Sequence, residues 1–259
     1  MNSFLVQTHG RPVPPAARIF SWLLVVLLVA ALFSFAFSHL HYGWNWSAIW
    51  EYRQKFIQGW LMTVLISAAS LLASLLIGLL TALARRSALL PLRYMSLLYV
   101  ETIRGTPLLV QILILFYVVA NAFGIENRYL VGILTLSLFA GAYLAEMIRA
   151  GIESISDSQL ESARAIGLTR NQTYRYVIFP QVVRQLIPPL TGQFASIIKD
   201  SSLLSIIAVS EFTLNAQEVN AFTYSTLESY LPLAVGYLVL TMPVSLASRI
   251  LERKFHYAT

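Results

Sequence analysis

The chain is 259 residues long, 57% hydrophobic and only 12% charged, with a net charge of +6. Soluble domains typically carry about 25% charged residues, so a soluble fold is excluded and a polytopic membrane protein expected. Cysteine is absent, which excludes a disulfide framework, a thiol nucleophile and a cysteine-bound metal.

Residues 1–18 are polar and proline-rich, with Arg11 and Arg18, and read as a short tail. Ile19 to Ser38 is apolar enough to cross about 30 Å of hydrocarbon. The stretch from His39 through His41 to Trp46 suits an interfacial aromatic belt better than a cleavage site, so this helix is read as retained. A second span runs from about Phe56 to Ala84 and ends at Arg85 and Arg86. Its small residues (Ser67, Ala68, Ser70, Ala73, Ser74, Gly78) mark it for close helix packing. The third runs from Arg93 to about Ala122 and is interrupted at Gly105-Thr106-Pro107. The fourth covers about Tyr129 to Ile148. The fifth covers Leu186 to Val209, with Pro188 and Pro189 near its start, and the sixth Tyr230 to Leu251.

Basic residues fix an orientation across these spans. With the amino terminus cytoplasmic, cytoplasmic segments hold Arg11, Arg18, Arg85, Arg86, Arg93, Arg149, Arg164, Arg170, Arg175, Arg184, Arg249, Arg253 and Lys254. External segments hold Arg53, Lys55 and Arg128. Both termini are therefore expected in the cytoplasm. Glu211, Glu218 and Glu228 fall on the outer side. Sorted in this way, the positive charge marks topology and not a nucleic-acid partner.

Between the fourth and fifth spans lies the only long polar run of the interior, Arg149 to Arg184. Ser158 and Glu161 have capping-box spacing, and Leu160, Ala163 and Ile166 then recur as a modest apolar stripe. Gly167 suits the left-handed backbone that ends a helix. Thr169 and Gln172 repeat the box and open a second helix, expected to stop near Pro180. A solvated amphipathic loop and a small DNA-reading hairpin share this pattern. Thr173, however, stands where the DNA-reading motif would want an apolar residue.

Glu161-Ser162-Ala163, then Gly167, then Val177-Ile178-Phe179-Pro180 resembles the EAA loop of bacterial ABC-importer permeases. Glu161, Ala163, Gly167 and Pro180 fall in register, whereas Ser162, Val177 and Phe179 stand at Ala, Ile and Leu positions. The resemblance implies that the hairpin docks into a cleft on a cytoplasmic ATP-binding subunit.

Four further charges fall inside predicted spans. Glu101 and Arg104 are three apart and share a helix face. Lys199 and Asp200 lie about fourteen residues into the fifth span, roughly 20 Å at 1.5 Å per residue. An unpaired charge at that depth costs about 3 kcal/mol or more, so these groups should face the bundle interior or a wet cavity. They are read either as two neutralising pairs or as a polar site for a zwitterion. Backbone carbonyls freed beside Gly105 can serve such a ligand, and the hydroxyls of Ser201, Ser202 and Ser205 either join it or bond their own backbone. Glu146 reads as a structural anchor near the cytoplasmic interface.

ETIRGTPLLVQ (101–111), AEMIRAGIESI (145–155) and IIKDSSLLSIIAVSE (197–211) are similar to segments of the polar amino acid permeases, a branch of the same importers. The resemblance implies an all-α, polytopic bundle of six transmembrane helices. Residues 56–251 would be a five-helix permease core, and 19–55 an additional N-terminal helix with its external loop. Short cytoplasmic tails, 1–18 and 252–259, would flank them. It further implies a bacterial inner-membrane importer of a polar amino acid. Its parts would be two permease subunits (identical or paralogous), ATP-binding subunits and an external amino-acid-binding protein. ATP would be bound by the partner subunit, and this chain would hold no cofactor. No Gly-x4-Gly-Lys-Ser/Thr loop or His-Glu-x-x-His motif is present, so no catalytic or metal-binding residue is assigned. A secondary transporter would show paired internal repeats, and none is found. A membrane-embedded enzyme would need a nucleophile or a metal cluster, which the absence of Cys and the placement of the four His outside the spans argue against, and neither rival accounts for the hairpin. For topology, a cysteine placed at Gln172 should resist an impermeant thiol reagent applied from outside. Ready modification from that side would invert the assignment.

Overall fold

The computed structural model describes residues 13–39 and 42–256, so His9, Arg11, His41 and residues 257–259 lie outside it. The chain divides into two units, Met1–Trp44 and Asn45–Thr259. In the first, α1 (Pro15–Ser38) opens on a proline in its first turn, where the missing N–H would have had no partner. Its residues are apolar all round and exposed, Leu27 at 68% and Phe35 at 69%, as befits a helix that meets lipid.

The second unit is wholly helical among the described residues. Its elements are α2 (Trp46–Glu51), α3 (Arg53–Arg85), α4 (Leu90–Gly105), and α5 (Leu108–Ile114), continued by a π turn, Leu115–Ala120. Then come α6 (Arg128–Glu153), α7 (Asp157–Ala165) and α8 (Arg170–Thr173). A π turn, Tyr174–Ile178, leads into α9 (Phe179–Asp200) and a 3-10 helix, Ser201–Ile207. Helices α10 (Phe212–Thr223) and α11 (Thr226–His256) close the chain.

The bundle is built around α3 and α6, and α3 is inverted relative to a soluble helix. Thr63, Ser67, Ser70, Ser74 and Gly78 face inward and are buried, whereas Leu65, Leu72, Leu76, Leu79 and Leu83 face out. With lipid outside there is no hydrophobic gain in burying leucine, so close backbone approach and dispersion select small residues for the contact. At Gly78 a Cβ would lie 2.6 Å from the Leu144 Cβ and 3.1 Å from the Gly141 carbonyl. The small residues expected to pack do pack.

Among the described residues four helices are long and apolar enough to cross a membrane: α1, α3, α6 and the Thr226–Leu251 part of α11. The pair α4 and α5 makes a fifth if read as one span, but it is bent by 113° at the Thr106-Pro107 break. The fifth expected span, Leu186–Val209, is not one apolar helix. Helix α9 starts earlier, at Phe179, and carries Gln181, Arg184, Gln185, Gln193, Lys199 and Asp200. It then narrows into the 3-10 helix. Its inner face, with Val182, Gln193, Ala195, Ile197 and Ile198, is buried against other helices, so it needs no continuous apolar surface.

Opposite the hairpin end, the acids read as lying on the outer side of the membrane are partly interior to the bundle. Glu211 and Glu228 are 0% exposed, and Glu218 pairs with Lys55. Glu211 caps α10 by accepting from Thr213 N–H and Leu214 N–H, both at 2.8 Å, and also accepts from the Tyr237 hydroxyl at 3.0 Å. Burial pushes its carboxyl up, against the hydrogen bonds that pull it down. The α3–α6 contact gives a direct test: Gly78→Leu should cost about 1–3 kcal/mol through overpacking. The check is the thermal midpoint of the detergent-solubilised chain, with Leu79→Ala on the exposed stripe expected to change it little.

Candidate functional site

The hairpin, α7 to α8, forms where α6 ends and α9 begins. Helix α7 is capped from Ser156, whose backbone is extended (φ −67°, ψ 146°), and no side chain closes the cap. The expected Ser158–Glu161 box is therefore not formed. Ser158 is already inside the helix, and its hydroxyl lies 3.1 Å from that of Ser156. Asp157 meets the positive end of the helix dipole instead.

The turn agrees with expectation. Gly167 has φ +80°, Leu168 N–H donates to the Ala163 carbonyl at 3.0 Å and Gly167 N–H to the Arg164 carbonyl at 2.9 Å. These are the two bonds of a Schellman turn. Nothing lies within 4 Å of a Cβ built on Gly167, so the backbone, and not space, asks for glycine. The second capping box is present, with Gln172 Oε1 accepting from Thr169 N–H at 2.8 Å.

The second helix does not stop near Pro180. It runs through the π turn Tyr174–Ile178 into α9, with Pro180 as the second residue of that helix. The wider i→i+5 turn shifts the bonding pattern, and Pro180 falls where a first-turn proline is tolerated.

Ala163 is buried, while Glu161 and Ser162 are exposed. Ile155, Ile178 and Val182, with Leu160 and Tyr174 against them, anchor the hairpin from below. Ile166, expected in that buried stripe, is 77% exposed, and Tyr176 and Phe179 are also exposed. Ile166 and Tyr176 line an open cavity of about 460 Å³ with Ser162 and Ala163. This apolar outer face was hidden in the sequence, because the Schellman turn sets the rotation of Ile166 away from the stripe.

The second group of residues sits on the broken helix and on α9. Thr106 and Pro107 are extended, which ends α4 at Gly105. The carbonyls freed there do not stay free. Gln111 Nε2 donates to the Ile103 carbonyl at 2.8 Å and the Thr106 carbonyl at 3.1 Å. Gln111 was not among the expected site residues, yet its other amide atom, Oε1, is buried without a partner.

Neither expected neutralising pair forms: no ion pair joins Glu101 to Arg104 or Lys199 to Asp200 among the described residues. Arg104 turns to Glu146, at 3.7 Å, and its guanidinium lies over the Tyr143 ring at 5.6 Å. Glu146 also binds Arg85 at 2.8 Å and Arg149 at 2.5 Å. Lys199 and Asp200 are the last two residues of α9, and the 3-10 helix begins at Ser201. Ser201, Ser202 and Ser205 hydroxyls donate to the carbonyls of Ile198, Lys199 and Ser202 at 2.6–2.9 Å, so they bond their own helix. The two segments nonetheless meet. Leu108 and Ile112 of α5 share one buried cluster with Leu204 and Ile207 of the 3-10 helix.

Comparison with known proteins matches this architecture. Residues 74–257 fit the family model of the binding-protein-dependent transport system inner membrane component. The chain is 37% identical over 212 residues to the glutamine transport system permease protein GlnP of Escherichia coli K12, covering 81% of this chain and 97% of that one. It is 40% identical over 194 residues to the L-cystine transport system permease protein TcyB of Bacillus subtilis 168, covering 74% and 82%. Among solved structures, an amino acid ABC transporter crystallised with histidines superposes with a TM-score of 0.77 at 33% identity, covering 82% of this chain and all of that one. The MetNI methionine ABC transporter shares the fold alone, at 17% identity and a TM-score of 0.61. With the hairpin, the inverted α3–α6 contact and these matches together, the chain belongs to the binding-protein-dependent ABC-importer permeases, the multi-pass inner-membrane components of transport systems.

Proposed function

We propose that this permease carries a polar amino acid inward, with Glu101, Arg104, Gly105, Lys199, Asp200, Ser201 and Ser202 along the substrate path. Its curated relatives transport glutamine and cystine, which supports a polar amino acid here. The observation that carries the path is the absence of mutual neutralisation. Glu101, Lys199 and Asp200 close no ion pair among the described residues, so both signs of charge are left for a zwitterion. Gln111, with its unpartnered Oε1 beside the same break, joins this group. Of the serines, the backbone-bonded hydroxyls contribute shape more than recognition.

The hairpin, with Glu161, Ser162, Ala163, Gly167 and Pro180, is the docking element for a cytoplasmic ATP-binding subunit, and its exposed Ile166, Tyr176 and Phe179 supply the apolar contact. In this reading both termini are cytoplasmic, residues 56–251 form the permease domain, and a second permease subunit and an external binding protein complete the importer. ATP is bound by the partner.

Isotope uptake by the reconstituted complex, run over a panel of amino acids, tests the assignment. Saturable, ATP-dependent uptake of one polar amino acid is expected, and uptake that proceeds without the ATP-binding subunit would falsify the reading. Asp200→Asn and Arg104→Ala should each lower uptake while leaving the ATP-binding subunit bound; normal kinetics in both would remove these residues from the path. Gly167→Val should strain the turn by about 1–2 kcal/mol. Less ATPase should then co-purify and transport should fall, with insertion unchanged.

A further inference from the structure

The substrate path does not use a strongly basic cavity formed by the described residues. It lies at the hairpin end, holds about 550 Å³, and is lined by Arg85, Arg86, Arg93 and Arg149 with Tyr94 and Leu97. Two of these arginines are already engaged: Arg85 binds Glu146, and Arg149 binds Glu146 and Glu153. Glu153, the one acid lining the cavity, is thereby occupied. Arg86 and Arg93 have no carboxylate within 4 Å among the described residues. Arg86 reaches only the Tyr174 hydroxyl, at 3.1 Å. The cavity therefore holds two uncompensated guanidinium groups, whose planar donor forks match phosphate oxygens.

Its surroundings decide the source of the phosphate. The cavity lies between the end of α3, the first half of α4 and the end of α6. Its rim is apolar and open: Tyr94 is 62% exposed and Leu97 37%, flanked on α4 by Leu90 at 58% and Leu98 at 69%. A soluble phosphate would gain nothing from those side chains, whereas acyl chains would cover them. Basic pockets between the ends of membrane helices are where acidic headgroups collect. We infer that this cavity binds the phosphate headgroup of an anionic phospholipid, with Arg86 and Arg93 as the binding cations. The inference rests on α3 and α4 lying in a membrane, not on which side the hairpin faces or on the substrate. Because Arg86 also holds Tyr174, the bound headgroup lies one side chain from the hairpin.

The test is native mass spectrometry of the detergent-solubilised full chain, titrated with phosphatidylglycerol or phosphatidylcholine. Phosphatidylglycerol should be retained preferentially. Arg93→Gln should weaken it about fivefold, the loss of one basic residue near a lipid surface. The double variant with Arg86→Gln should weaken it further, while Arg93→Lys should keep most of the binding. Arg53→Gln, at the other end of α3, should change nothing. Equal retention of the two lipids, or unchanged phosphatidylglycerol binding in the double variant, overturns the proposal. Displacement of the lipid by equimolar inorganic phosphate or glycerol 3-phosphate would assign the cavity to a soluble anion and overturn it too. Should the glutamine variants not survive purification, the wild-type and Arg93→Lys chains carry the test through the comparison of the two lipids. Failure here leaves uptake and ATPase docking untouched, so the two readings fall separately.

Discussion

One carboxylate holds the hairpin end of the bundle together. Glu146 receives Arg85 from the last turn of α3, Arg104 from the last turn of α4 and Arg149 from its own helix. Removing a partly buried acid that faces three guanidinium groups would leave their positive charges close together without a counter-charge, which destabilises this end of the bundle. The geometry matters as much as the energy. Arg104 belongs to the helix that breaks at Gly105, and Arg149 lies one turn before the segment that becomes the hairpin. The carboxylate thus ties the broken helix and the hairpin to the same turn of α6. It also settles why Arg104 and Glu101 do not pair: a three-residue spacing is worth only about 0.2–0.5 kcal/mol on a helix, and a partly buried acid on α6 outcompetes it.

The scaffold beneath this junction is set by lipid. In α3 the hydroxyls and glycine face α6 while leucines face out, because packing, and not the transfer of apolar surface from water, drives helix association there. That inversion gives α3 and α6 a contact with no room for a methyl group at Gly78. Helix α9 has a different bargain with its surroundings. It keeps glutamines, prolines and two charges, and buries one face instead of presenting an apolar surface all round.

How much of this was legible in the chain follows the range of each interaction. The turn at Gly167 and the Thr169–Gln172 box are decided within about six residues, and both are present as read. The break at Gly105-Thr106-Pro107 is equally local, because proline acts on its own backbone. Ser158 misled because capping-box spacing recurs within one turn, and Ser156, two residues earlier, took the cap. Pro180 misled because a π turn lets a helix pass a proline, which periodicity does not reveal. Ile166 misled because a stripe seen in sequence does not show which residue the turn swings outward. The long-range features were out of reach: Arg104 finding Glu146, Gln111 reclaiming two carbonyls across the break, and Glu211 becoming an interior cap. Arg104 and Gln111 reach partners five or more residues away, and the Glu211 cap, though local, is held inside by the Tyr237 hydroxyl 26 residues on, through geometry that exists only after folding. For the family itself, the motif residues and the relatives agree.

The departures from α-helical geometry fall in a pattern with a physical meaning. One is the extended pair Thr106-Pro107, one the 3-10 helix after Asp200, one the π turn between α8 and α9, and a fourth the π turn Leu115–Ala120 that continues α5. The first two border the proposed substrate path, and the third joins the hairpin to α9. Non-α backbone is tolerated at membrane depth only where protein or water satisfies it. Here Gln111 and the serine hydroxyls do so, by bonds that can exchange partners without exposing a carbonyl to lipid. Helix α9 runs from the Tyr174–Ile178 turn to Lys199 and Asp200, so one helix joins the hairpin to those charges, which fits the docking role proposed for the hairpin.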